Sequence, residues 1–172
     1  MLRDPAILAN ENPEPEKDTE ALSEYGEKGP FSNEPPVEWD IPTHAAFAAA
    51  LENAKASFPR QVLPVVDGGP IGGGKKMLSC DPNKPERVVA EVACADPGTV
   101  EKAVAAAKTA FVDWSATPAE KRADCLFKAA ERVRAKRHDL AALLVYEGGK
   151  NWNETQADIR EAVDFLELYG RQ

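Results

Sequence analysis

Histidine, cysteine and methionine are scarce in this chain of 172 residues, which holds two, three and two of them. Cys80, Cys94 and Cys125 form no C-x-x-C pair, and His44 and His138 lie far from them in sequence, so neither a zinc site nor a disulfide framework is signalled. The thiols are expected to be reduced and mostly buried, and both imidazoles to be solvated surface groups with no metal to hold. No run approaches the roughly 20 apolar residues that span a bilayer, so no membrane association is expected. A basic excess is missing too: the formal net charge is −8. Binding to nucleic acid needs a cationic footprint that displaces counterions from phosphate, and its absence excludes that class of partner. The opening Met1-Leu2-Arg3-Asp4-Pro5 leads into acidic residues, not into the apolar core of a signal segment, which predicts a cytoplasmic protein.

The charge is unevenly placed. Residues 1–40 hold eleven Asp or Glu against Arg3, Lys17 and Lys28, leaving eighteen residues of each sign (29 − 11 and 21 − 3) in the rest of the chain. Residues 1–36 are also rich in proline and poor in large apolar side chains, a composition that cannot offset its own ordering entropy without docking on something larger. They read as an acidic extension, flexible or draped on the surface. Residues 37–172 read as one domain.

Within that domain, Phe47, Leu51 and Ala54 recur at helical spacing after Ile41-Pro42-Thr43, until Pro59 interrupts them. Three strands are predicted next, Gln61 to Val66, Lys75 to Cys80 and Val88 to Cys94, joined by a glycine-rich turn and by Asp81-Pro82-Asn83-Lys84-Pro85 as an antiparallel hairpin or meander. Asp96 then caps a helix with Pro97 at its first position, and Val100, Ala103, Val104, Ala107 and Phe111 share one face. Thr117-Pro118-Ala119-Glu120 has the spacing of a capping box and predicts a long helix with a break near Lys136-Arg137-His138, ended by Gly148-Gly149. A last amphipathic helix runs from Asn153 to Tyr169 and buries Ile159, Ala162, Val163 and Leu166, with Phe165 as a further candidate.

Gly69-Pro70-Ile71-Gly72-Gly73-Gly74-Lys75 matches most of a phosphate-cradling loop. It fails at the next position: Lys76 stands where a Ser or Thr would hold magnesium, and Met77-Leu78-Ser79-Cys80 reads as a strand where the loop must open a helix. A turn between strands is the better reading. No cysteine has a base in sequence reach, so none is expected to be a nucleophile. Asn153-Glu154-Thr155 matches a glycosylation sequon, which has no consequence in a protein that is not secreted.

The ordered pieces together resemble the beginning of the aldehyde dehydrogenase superfamily. Asn33-Glu34-Pro35, the turn at Asp81-Pro82-Asn83, Asp96-Pro97-Gly98-Thr99-Val100, Ala106-Ala107-Lys108-Thr109-Ala110-Phe111 with Trp114, Arg122, Ala129-Ala130-Glu131 and Glu147-Gly148-Gly149-Lys150 carry the likeness. The start at Asn33 and the run Trp152-Asn153-Glu154 to Asp158, Glu161-Ala162-Val163-Asp164-Phe165 are similar to the L-glutamate γ-semialdehyde (1-pyrroline-5-carboxylate) dehydrogenase branch. The chain departs from that pattern at Thr155-Gln156 and at Gly170. The resemblance implies an α/β fold, here the N-terminal part of an NAD-binding domain: a short helix, antiparallel strands and three amphipathic helices, with the parallel Rossmann-like sheet missing. It also implies that the catalytic cysteine, the general base and the residues that grip NAD all lie later in the family, so no catalytic or cofactor-binding residue is expected in this chain.

One residue carries a site expectation. The resemblance implies that Glu161 approaches the substrate near its amino group, where a carboxylate would pair with an ammonium while Ala157 and Phe165, one turn away, partly desolvate it. On the pattern alone it is a solvated charge at the margin of a helix, like Glu154, Asp158 and Glu167. Two functions follow. The chain is part of an NAD-dependent aldehyde dehydrogenase, inactive by itself, with a small aldehyde substrate, a downstream partner segment and homo-oligomerisation in the complete enzyme; or it is a free-standing, non-catalytic interaction protein. In the first case the apolar faces of its last helices await a missing sheet, and in the second they close on one another or on a partner.

Overall fold

A computed structural model describes residues 29–172, and the acidic extension up to residue 28 lies outside the described residues. Asp40 starts the first helix, α1 (Ile41–Ala56), by accepting a hydrogen bond from the Thr43 amide. Three short strands follow: β1 (Arg60–Val62), β2 (Val65–Val66) and β3 (Gly69–Pro70). β2 and β3 pair antiparallel around Asp67-Gly68, whose φ angles of 53° and 74° are the positive pair that a two-residue hairpin turn demands. The predicted strand from Gln61 to Val66 is therefore two strands, because Pro64 lacks the amide that a continuous ladder needs.

β4 (Lys76–Asp81) and β5 (Lys84–Ala93) form an antiparallel hairpin with an irregularity in register around Cys80. The strand order is β1-β5-β4, and β1 runs parallel to β5, with Arg60 opposite Ala90 and Val62 opposite Val92. Of the hairpin or meander expected from the sequence, the β4–β5 hairpin forms, whereas a meander is ruled out because β1 pairs with β5 and in parallel. The glycine-rich stretch carries the chain from β3 to β4, so β1 can lie beside β5 in the same sense.

Four helices complete the chain: α2 (Pro97–Ala116), α3 (Ala119–Ala135), α4 (Arg137–Gly148) and α5 (Trp152–Arg171). Asp96 caps α2 through the Thr99 amide at 2.7 Å, as expected. The capping box predicted at Thr117 does not form. Thr117 ends α2 instead, its hydroxyl donating to the Asp113 carbonyl, and Pro118 begins α3 without a side-chain cap. The box that forms is Asn151 with Glu154, each side chain bonded to the other's backbone amide, at the same three-residue spacing. The break at Lys136 and the left-handed stop at Gly149, φ 65°, lie where the sequence places them.

The core is built where α1 crosses α4 and α5: Phe47, Ala50, Ala141, Ala142 and Ile159 are buried, and Trp39, Leu144 and Trp152 pack against them. Small residues on α1 and α4 let the two helices approach closely. A second contact joins α3 to α5, where Phe127 and Ala130 meet Val163 and Gly170. Gly149 ties helices to sheet, since a Cβ there would stand 2.8 Å from Pro82 at the tip of the β4–β5 hairpin.

Candidate functional site

α5 carries the one predicted site residue, and the segment before α1 fixes how α5 sits. That segment runs antiparallel along the helix. The Arg171 guanidinium donates to the Gly29 carbonyl at 3.2 Å, the Asn33 side chain and the Glu34 amide both donate to Asp164 at 2.8 and 2.6 Å, and the Trp39 indole donates to Asn153 at 2.6 Å. Glu34 in turn holds Arg134 at 2.8 Å and Arg137 at 3.4 Å.

Glu167 completes this network, accepting from Arg134 and Arg171, each at 2.7 Å. It was expected in solvent and is instead buried. Burial pushes its carboxyl pKa up, but hydrogen bonds from Arg171 and Arg134 and their charges outweigh that and hold it below its ordinary 4.5. The same geometry raises the Arg134 pKa: burial works against its charge, and the bonds to Glu167 and Glu34 prevail. The Glu167–Arg171 pair has the i,i+4 spacing that a helix brings together, but Arg134 lies 33 residues from Glu167, and Arg134 and Arg137 lie 100 and 103 residues from Glu34, so sequence spacing held no signal of the rest of the network.

The buried side of α5 consists of Thr155, Gln156, Ile159, Val163, Glu167 and Gly170. Glu161 stands on the other side and is exposed. Ala157 is exposed as well, and Phe165 retains 47% of its surface, so neither neighbour shields Glu161 within the described residues. Phe165 and Tyr169 stack at 5.9 Å between ring centroids along the same stripe, four and eight residues on from Glu161. Ala162, expected inside, is exposed because the buried stripe is phased on Ile159, Val163 and Glu167. Near the start of the helix Lys150 pairs with Asp158 at 2.5 Å; that bond, against some desolvation, raises the lysine pKa, helped by the charges of Asp158, Glu154 and Glu161. Three carboxylates around one lysine make this face attractive to cations.

Other expectations are corrected. Cys125 is exposed, its thiol turned to the Lys121 carbonyl at 3.6 Å, because at 100° per residue it lies across the helix from buried Phe127; Cys80 and Cys94 are half-buried. His138 is half-buried, its ring 5.8 Å from Phe47 and its Nδ1 without a partner. Burial, then the Arg137 charge, lowers its pKa against a smaller opposing pull from Asp139. His44 is exposed as expected, with its ring 5.1 and 5.7 Å from those of Trp39 and Trp152. Gln156 is buried with both amide atoms unpartnered. Among the described residues no group of three His, Cys, Asp or Glu could hold a metal ion, and no helix is long and apolar enough to cross a membrane.

The glycine cluster does not fit a dinucleotide. It opens strand β4, and Gly73 is needed for close approach to β5, since a Cβ there would meet that of Ala93 at 2.6 Å. Nothing in this geometry prepares a phosphate cradle.

Residues 71–172 match the aldehyde dehydrogenase family. The chain belongs to that family. It is 40% identical over 144 residues to the 1-pyrroline-5-carboxylate dehydrogenase of Geobacillus thermodenitrificans and 42% identical over 145 residues to that of Bacillus licheniformis, covering 83% of this chain in each case. It also superposes on a crystal structure of 1-pyrroline-5-carboxylate dehydrogenase from Thermus with bound NAD, with a TM-score of 0.82, 37% identity and 84% of this chain covered. The chain spans 28% of the length of each of these relatives. Its fold is thus that of the N-terminal part of the aldehyde dehydrogenase structures.

Proposed function

We propose that this chain is the N-terminal supporting part of a cytoplasmic, homo-oligomeric, NAD-dependent dehydrogenase that oxidises L-glutamate γ-semialdehyde to L-glutamate in proline degradation. By itself it is inert. The observation that carries the reading is the extent of the match: fold and sequence agree with 1-pyrroline-5-carboxylate dehydrogenases over more than four-fifths of the chain, at 37–42% identity. Val100, Val104, Phe111, Val112 and Trp114 on α2 are exposed and do not close on one another, and a sheet supplied by downstream sequence would suit them. NAD would be gripped by that downstream part, which would also bring the catalytic cysteine.

Glu161 is the residue of this chain assigned to substrate. Its position on the cation-attracting side of α5, clear of the Glu167 network, leaves its carboxylate available to an ammonium. Closure of the downstream domain over Phe165 and Tyr169 would exclude water beside it and strengthen that pair. In the complete enzyme Glu161→Gln is expected to raise KM for the amino-acid semialdehyde about tenfold, the worth of one such pair, while leaving a simple aliphatic aldehyde unaffected. Equal effects on both substrates would reduce Glu161 to a packing or charge role. The mass of the native product, with peptide mapping past Gln172, tests the larger claim: downstream peptides holding a nucleophilic cysteine support it, and a product of 18.6 kDa refutes it.

A further inference from the structure

Two adjoining cavities of about 420 and 340 Å³ lie between α1 and the start of α4 and share Ala50, Asn53, Lys136 and Asp139 in their walls. Either volume falls within the roughly 300–1,000 Å³ typical of small-molecule sites. Alanines line both cavities, joined by Leu140 and Leu143 in the larger, and the charged side chains are mostly cationic: Arg60 and Lys136 line the larger cavity, Arg134, Lys136 and Arg137 the smaller, against one carboxylate, Asp139. In a chain of net charge −8 this is a local reversal of sign.

The cations differ in availability. Arg134 and Arg137 are committed to Glu34 and Glu167, whereas the side chains of Arg60 and Lys136 have no hydrogen bond or ion pair among the described residues. Arg137 Nε and His138 Nδ1, of residues that line the smaller cavity, are buried without a partner. A guanidinium and an ammonium suit phosphate oxygens. Asp139 would repel a bare anion but accept hydroxyl protons, and the Asn53 amide can accept from a hydroxyl group through its oxygen or donate to one through its NH2.

We propose that this groove binds a small phosphorylated polyol, its phosphate held by Arg60 and Lys136 and its hydroxyl groups by Asp139 and Asn53. The proposal is independent of the dehydrogenase reading, because none of these residues belongs to the face that carries Glu161.

The test is an NMR titration of the 15N-labelled chain with glycerol 3-phosphate, inorganic phosphate and glycerol as probes. Saturable shifts at residues 53, 57 and 136–139 are expected, with glycerol 3-phosphate at least about tenfold tighter than phosphate and glycerol silent. Arg60→Gln and Lys136→Gln should each weaken glycerol 3-phosphate about fivefold or more, while Lys128→Gln, an exposed cation outside the groove, changes nothing. Asp139→Asn should bring the affinity ratio of the two anions towards one, and Asn53→Ala serves the same purpose if that variant does not fold. Equal affinity for phosphate and glycerol 3-phosphate, an unchanged ratio in both variants, an equal loss in Lys128→Gln, or no shift in a dispersed spectrum would each overturn the proposal.

Discussion

A Cβ at Gly170 would stand 2.7 Å from Cε1 and 2.9 Å from Cζ of Phe127, atoms of a buried ring with little room to turn. Alanine would gain about 1 kcal/mol of helix propensity, but overpacking a well-filled contact costs about 1–3 kcal/mol. Gly170→Ala is therefore expected to lower the unfolding free energy read from denaturant titration by about 1 kcal/mol net, and Phe127→Leu in the same chain should relieve the clash. A gain in stability from Gly170→Ala alone would show that the ring yields freely. Gln156 argues in the other direction. A buried amide with neither atom bonded bears its full desolvation cost, so Gln156→Met, similar in volume and apolar, should raise stability by about 1 kcal/mol. Thermal unfolding reads this directly, and a fall in the melting temperature would mean that ordered water completes the amide.

At the scale of elements, α5 depends on its cap and on its charge network. Asn151→Ala removes the acceptor for the Glu154 amide and should cost about 1 kcal/mol in chemical unfolding; Asn151→Asp should cost far less. Glu167 gives the chain a pH signature. Its folded pKa lies below the ordinary value of 4.5, so its stabilising contribution is complete above that pH and is lost as pH falls through the folded pKa. Unfolding free energy measured from pH 6 to pH 3 should fall, and Glu167→Gln should flatten that fall while lowering the plateau, because Arg134 and Arg171 lose their shared carboxylate. An unaltered acid limb would place the titration on another group.

For the whole molecule, the placement of apolar surface decides behaviour. α2 has an apolar stripe in its sequence and little to bury it on: Phe111 is 63% and Val112 69% exposed. The isolated chain should therefore bind a hydrophobic dye and associate as its concentration rises. Val112→Lys should weaken that association with a change in stability of no more than about 0.5 kcal/mol, since the residue contributes almost nothing to the core. Light scattering and melting curves on the same samples separate the two effects. Association unchanged by the substitution would move the sticky surface to β4, where Met77 and Leu78 are exposed, or to Phe165 and Tyr169.

Periodicity and caps by themselves determined the helices, the β4–β5 hairpin, the Asp96 cap and the stop at Gly149, because each is decided by residues within one or two turns of each other. The motif of the family was legible in the same local runs. Tertiary structure alone decided the rest. Thr117 lost its capping role to the end of the preceding helix, β1 joined β5 in parallel across nearly thirty residues, and Glu167 went inside because two arginines from different turns and helices converge on it. Glu161 shows the limit most clearly: spacing places it on α5, but whether its carboxylate meets water or a substrate depends on what closes over that face. Local rules assign a side chain to a helix and a phase, whereas burial, pairing and pKa depend on which distant surfaces arrive opposite it.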